Sequence, residues 1–222
     1  MFEKDGFKYD NGPTFFHYPE IAEEIFEALG LDAREELGLI ELDPNYRLVF
    51  GAGGSIDAST DLEHMVSQIR ELCGEDNANG FRKYIEDNRT KLDLSKNCLN
   101  SPWRVPTDLL SRRAMRVAKV LRPWRSVSSD LSKVFSDERM QLAMSFQTKY
   151  LGMSPFQAPS LFTILAYLEY EHGVFHAEGG LGTITQKMGE IARDLGVDIR
   201  LNEPVNDFVF EGKKVVGAIT EN

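Results

Sequence analysis

The sequence predicts an α+β (mixed α/β) fold, in which a helical region is joined to a small antiparallel sheet. Three observations carry that prediction. From Asp61 onward the apolar period is helical through Tyr170. Ahead of it, short alternating segments punctuated by glycine read as strands and a hairpin. Behind it, Gly173 to Val205 packs a short strand, a glycine turn, an amphipathic helix and a second alternating segment into the length of one crossover unit.

Taken in order, Phe7 and Tyr9 alternate with Lys8 as in a strand that Asn11-Gly12-Pro13 ends. Pro19 opens a helix with Ile21, Ile25, Phe26 and Leu29 on one face, and Gly30 closes it. Leu39–Leu42, Tyr46–Phe50 and Ser55–Ala58 read as strands, the last two joined as a hairpin through Gly51-Ala52-Gly53-Gly54. Asp61 caps a helix carrying Met65, Ile69 and Leu72, and Asn79 caps another carrying Phe81, Tyr84 and Ile85. Thr107–Arg122 is the most amphipathic segment. Leu109, Leu110, Ala114, Val117, Ala118 and Leu121 oppose Arg112, Arg113, Arg116 and Lys119, until Pro123 stops it. Asp137–Gln147 is a further helix, Gly152–Pro159 a turn-rich link and Ser160–Tyr170 an apolar helix.

Val174–His176 then reads as a strand, and Gly179, Gly180 and Gly182 open a helix whose buried face is Ile184, Met188, Ile191 and Leu195. Gly196 ends that helix, and Val197, Ile199 and Leu201 alternate with Asp198 and Arg200 as a half-buried strand. Val205–Phe210 and Lys214–Ile219 form a hairpin. A chain that starts on a strand and stops just after a hairpin is expected to be internal to a longer protein.

Composition narrows the function classes. Hydrophobic residues are 42% and charged residues 27% of the 222, the balance of a globular protein with a core. The two cysteines, Cys73 and Cys98, lie in no metal-ligand spacing, so neither a disulfide framework nor a metal site is expected and a cytoplasmic location is. The longest apolar run, Leu161–Leu168, is far short of the ~18 residues a membrane span needs. A net charge of −10 argues against nucleic acid as a partner. The charge is uneven, however: Ser101–Phe135 holds eight basic residues against Asp108 and Asp130, a local +6.

Four features are candidates for chemistry. Gly180-Leu181-Gly182 begins a dinucleotide fingerprint, but Thr185 stands where its third glycine belongs, so the spacing rejects that motif despite Glu203 near the ribose-acid offset. The glycines either turn the chain tightly or admit a ring system. Glu169, Glu171, His172, His176 and Glu178 crowd together without a metal-binding helical spacing, and neither HExxH nor GxSxG occurs. Tyr150, Phe156, Phe162, Tyr167, Tyr170 and Phe175 are an aromatic band, either core or the wall of an apolar pocket. The basic amphipathic segment is either a solvated face or a contact with an anionic membrane surface.

The run Thr148–Val205, with the opening GFKYDNGPTFFHYPEIAEEIFEALG and the segment LDPNYRLVFGAGGSIDAST, resembles the FAD-dependent carotenoid (phytoene) desaturases across nearly the whole chain. Its specific parts are Asp10-x-Gly12-Pro13-Thr14 and Gly179-Gly180-Leu181-Gly182. The resemblance implies that Asp10, Gly12, Pro13, Thr14, Gly179, Gly180, Leu181 and Gly182 approach FAD, with Val205 at its adenine end. It implies partial FAD-binding domains of the flavin amine oxidase type at 1–17 and 175–222, flanking a substrate and membrane-facing domain at 18–174. The implied reaction moves a hydride from a long apolar polyene to FAD. Phe156, Tyr167, Tyr170, Phe175 and His176 would line the substrate channel, and the Thr107–Arg122 region would dock a peripheral, cytoplasmic enzyme at the bilayer. His176, beside the turn, is the residue singled out for mutation by position alone. The family's pyrophosphate-binding strand-glycine-helix unit and its C-terminal glycine segment are not in this chain, which alone is expected neither to hold FAD tightly nor to turn over. The rival readings are a carotenoid isomerase, an amine oxidase-like flavoprotein, and a non-catalytic lipid-binding module.

Overall fold

The computed structural model of the chain describes residues 2–10, 13–99 and 112–221. Gly12 and the Thr107–Ser111 start of the basic segment lie outside the described residues. The elements run β1 (Phe2–Lys4), β2 (Phe7–Tyr9), β3 (Phe16–His17), α1 (Glu20–Glu27), α2 (Ala33–Glu36), β4 (Leu39–Glu41), β5 (Tyr46–Val49) and β6 (Ser55–Ala58). The helical part follows with α3 (Leu62–Cys73), α4 (Glu75–Leu99), α5 (Arg112–Leu121), α6 (Val127–Leu131), α7 (Glu138–Ala143) and α8 (Thr163–His172). Then come β7 (Val174–Ala177), α9 (Gly182–Asp194), β8 (Val205–Glu211) and β9 (Lys214–Thr220). Helices plus small antiparallel sheets make the chain α+β, as its periodicities require.

The main core gathers where the helical periods place it. Met65, Val66 and Ile69 of α3, Phe81, Tyr84 and Ile85 of α4, and Ala166, Tyr167 and Tyr170 of α8 are buried together with Ile56, Leu131 and Phe135. Asp61 does cap α3, accepting the His64 N–H at 3.0 Å. We expect Asp61→Ala to cost ~1 kcal/mol, the usual worth of such a cap. A denaturation midpoint unmoved in that variant would remove the cap from the stability argument.

α4 begins at Glu75, ahead of the Asn79 start expected from sequence. Gly74, at φ +86°, breaks the chain after α3, so the next helix can start at once. Asn77, not Asn79, carries the junction: its amide donates to the Cys73 carbonyl at 2.8 Å and accepts the Ser136 N–H at 3.1 Å. The expected Asp137–Gln147 helix is two pieces, α7 and a 3-10 segment at Phe146–Leu151.

A second, smaller core holds Phe26, Ala33 and Leu37, with Ile184 and Ile191 of α9 against it. Only Phe26 of the expected α1 face is buried; Ile21, Ile25 and Leu29 are exposed, because this small cluster meets the helix only on its Phe26 side. On α9, Met188 and Leu195 likewise remain exposed.

The expected crossover unit does not form. β7 is the middle strand of a three-stranded antiparallel sheet, with Phe16 opposite Phe175 on one edge and Leu39 opposite Ala177 on the other. With both edges of β7 occupied, Val197–Leu201 finds no ladder beside it, and its alternating residues stay exposed and irregular rather than forming a strand. The closing hairpin β8–β9 forms as expected. Among the described residues no helix is long and apolar enough to cross a membrane.

Candidate functional site

The two sequence motifs meet in space. The Asp10 carboxylate, after β2, accepts the backbone N–H groups of Leu181 and Gly182, the latter at 3.0 Å. A charge at this position satisfies donors that the first turn of α9 leaves without helical partners, and it is favoured by the helix dipole. The Leu181 and Gly182 N–H groups of the turn are therefore engaged by Asp10. Gly180 explains why the approach is so close: it sits at φ +100°, and a Cβ there would lie 2.8 Å from Asp10 Oδ2. Gly179, at φ +82°, is exposed and presents bare backbone to the outside.

Pro13 and Thr14, three and four residues past Asp10, form one end of an apolar cavity of about 500 Å³. Phe15, His17, Tyr150, Leu165 and Leu168 supply the rest of its wall. None of the five residues expected to line a channel lines this cavity. Phe156 is 75% exposed, Tyr167 and Tyr170 lie in the main core, and Phe175 is buried with the Arg34 guanidinium 4.9 Å over its ring. His176 is held on the sheet beside the turn, its Nδ1 3.1 Å from the Thr14 carbonyl. Val205 is exposed at the start of β8.

The crowd of acids and histidines disperses to separate partners. Glu171 pairs with Arg89 and His172 with Glu20. Glu169 turns inward and is completely buried. Its Oε2 accepts the Tyr46 hydroxyl at 2.6 Å and the Gln147 amide at 2.9 Å, and its Oε1 accepts the Tyr150 hydroxyl at 3.0 Å. His17 Nδ1 stands 3.7 Å from Oε1. Burial pushes the Tyr46 and Tyr150 phenols above the ordinary tyrosine range, with Glu169 adding to both, so they remain donors. Burial also lowers the His17 pKa, against the opposing pull of Glu169. A neutral imidazole and a phenol thus share the wall of the apolar cavity, the phenol held by the Glu169 carboxylate behind it and the imidazole lying near that carboxylate without a hydrogen bond to it. Sequence reading found the Glu169 carboxylate but not its role, because its partners come from three other segments.

The segment running from Asp10 to Thr14 thus touches both features, its carboxylate clamping the glycine turn and its Pro13 and Thr14 lining the apolar cavity. The chain belongs to the flavin containing amine oxidoreductase family, whose sequence profile matches residues 1–222. It is 32% identical over 217 residues to the 4,4'-diapophytoene desaturase (4,4'-diapolycopene-forming) of Methylomonas sp, covering 96% of this chain and 41% of that protein. It is 32% identical over 216 residues to the phytoene desaturase (lycopene-forming) of Pantoea ananas, covering 97% and 43%. To the zeta-carotene-forming phytoene desaturase of Myxococcus xanthus it is 31% identical over 224 residues, covering 98% and 42%. The chain spans about two fifths of the length of these curated relatives.

Proposed function

We propose that the protein is an FAD-dependent desaturase that dehydrogenates a long apolar polyene in carotenoid biosynthesis. One observation carries the reading: Pro13 and Thr14 belong both to the segment that clamps the glycine turn and to the wall of the apolar cavity. A flavin against the turn and a polyene in the cavity would then be neighbours. The residues present fit a flat cofactor, since exposed Gly179 offers backbone with no Cβ in the way. Asp10, Pro13, Thr14, Gly179, Gly180, Leu181 and Gly182 would form this chain's side of the flavin site, with Val205 near the adenine end. Residues 1–17 and 175–222 would then belong to a flavin-binding domain and 18–174 to a substrate domain.

When bound, the flavin supplies a hydride acceptor. This chain's residues hold the substrate in an apolar, water-poor channel, orient it and leave the hydrocarbon no polar competitor. Phe15, Leu165 and Leu168 do the desolvating. An amine substrate is disfavoured, because a cation entering this cavity would lose its hydration to apolar walls. α5, with exposed Met115 and Lys119, and exposed Trp124 beyond it, would seat the enzyme on the bilayer that stores the polyene.

The test uses the full-length protein with phytoene or diapophytoene in liposomes, followed by chromatography and absorbance of the products. We expect retained flavin, its anaerobic bleaching on mixing with polyene, and lengthened conjugation in the product. Leu168→Asp is expected to lose at least ~90% of polyene conversion while flavin stays bound, as a carboxylate in an apolar wall must. Oxidation of amines with polyenes untouched, or isomerisation without added double bonds, would replace this reading.

A further inference from the structure

We propose that a cleft on the far side of α4 binds a phosphate dianion, either free or as the terminal phosphomonoester of a lipid headgroup. The cleft is small, about 170 Å³, which admits a phosphate and excludes a nucleotide. Four cations line it: Lys83, Lys91, Arg122 and Lys133. It also holds two acids, Asp87 and Asp130, each set against cations of the cleft itself, and Asp130 Oδ1 is buried with no hydrogen-bond partner among the described residues. Asp87 accepts Lys83 Nζ at 2.6 Å. Asp130 faces Arg125 at 2.9 Å and Arg122 at 3.3 Å, and accepts the Ser160 hydroxyl.

Lys91 is left with no carboxylate. It is only 4% exposed, and its Nζ donates to Thr163 Oγ1 at 2.8 Å and Asn88 Oδ1 at 3.2 Å, both neutral oxygens. An ammonium has three protons, so one remains after these two bonds. Buried charges are ordinarily paired, and no ion pair involves Lys91 among the described residues. Lys133, exposed on the rim, also lacks an acid partner among them. Two uncompensated cations on one cleft match the charge of one phosphate dianion. Burial and the neighbouring Arg122 lower the Lys91 pKa to about 8, against the pull of Asp130 and Asp87, and a bound dianion would raise it again.

The experiment measures binding of inorganic phosphate to the full-length protein by calorimetry at neutral pH, with chloride as the control anion. It needs neither flavin nor polyene, so its outcome is separate from that of the desaturase reading. We expect saturable phosphate binding, weakened at least about tenfold in Lys133→Glu and lost in Lys91→Met, with Lys214→Glu on the distant β9 unchanged. Lys133 is exposed, so its variant keeps the proposal falsifiable even where Lys91→Met fails to fold. Vesicles of phosphatidylcholine with and without phosphatidate then identify the source. Recruitment by phosphatidate that Lys133→Glu abolishes assigns the site to a headgroup, and phosphate binding without recruitment assigns it to free phosphate. Absence of saturable binding in both arms, or equal binding by wild type and Lys133→Glu, overturns the proposal.

Discussion

Glu169→Ala is expected to destabilise the protein by about 3–5 kcal/mol, the cost of leaving several buried donors without their shared acceptor. The carboxylate is fully buried and accepts from Tyr46, Gln147 and Tyr150. Truncation leaves those donors facing a void, and each buried donor without an acceptor costs about 1–3 kcal/mol. Relaxation and entering water recover part of that sum. Glu169→Gln keeps the volume and one acceptor oxygen, and the tyrosine hydroxyls can rotate, so about 1–2 kcal/mol is expected. Chemical denaturation of the three proteins side by side is the measurement. An alanine variant as stable as the glutamine variant would mean that the network carries no net stability. The pH dependence follows from His17. Its folded pKa lies below 6.5, so the unfolded chain takes up its proton first, and stability falls as pH drops through 6.5 toward the lowered value. His17→Phe should flatten that part of the profile.

What could be read from sequence divides along chain distance. α3 with its Asp61 cap, the β5–β6 hairpin and the β8–β9 hairpin rest on neighbours within a few residues, where periodicity and turn chemistry are decisive. The glycine turn and the Asp10 motif were each visible, but their contact spans 171 positions and no local pattern announces it. The crossover was misread for the same reason. Whether Val197–Leu201 pairs is decided by Phe16 and Leu39, which take the edges of β7 from far upstream. The aromatic band shows the limit of composition: Tyr167 and Tyr170 do lie in the core, while the cavity wall draws on Phe15 and His17, which the band omits. A buried glutamate is the least legible feature, since its sequence context is that of a surface acid.

Gly180→Ala is the second substitution with a large expected effect, about 2–4 kcal/mol, and it separates two contributions that coincide at one residue. The first is backbone strain: φ +100° is a conformation that side-chain-bearing residues rarely adopt. The second is contact, since the new Cβ would lie 2.8 Å from Asp10 Oδ2 and 3.0 Å from its Cγ. Asp10→Ala alone should cost ~1–2 kcal/mol, because it removes the acceptor of two N–H groups at the start of α9. In the double variant the contact disappears but the strain does not. The two changes should therefore fall short of additivity by about 0.5–1.5 kcal/mol. Strict additivity would mean that the Asp10 side chain simply swings away, and that the turn is set by its own backbone. Sub-additivity would mean that Asp10 fixes the turn against the segment carrying Pro13 and Thr14. In that case loss of the clamp should also loosen the end of the apolar cavity that those two residues form, and flavin retention by Asp10→Ala in the full-length protein should fall with it.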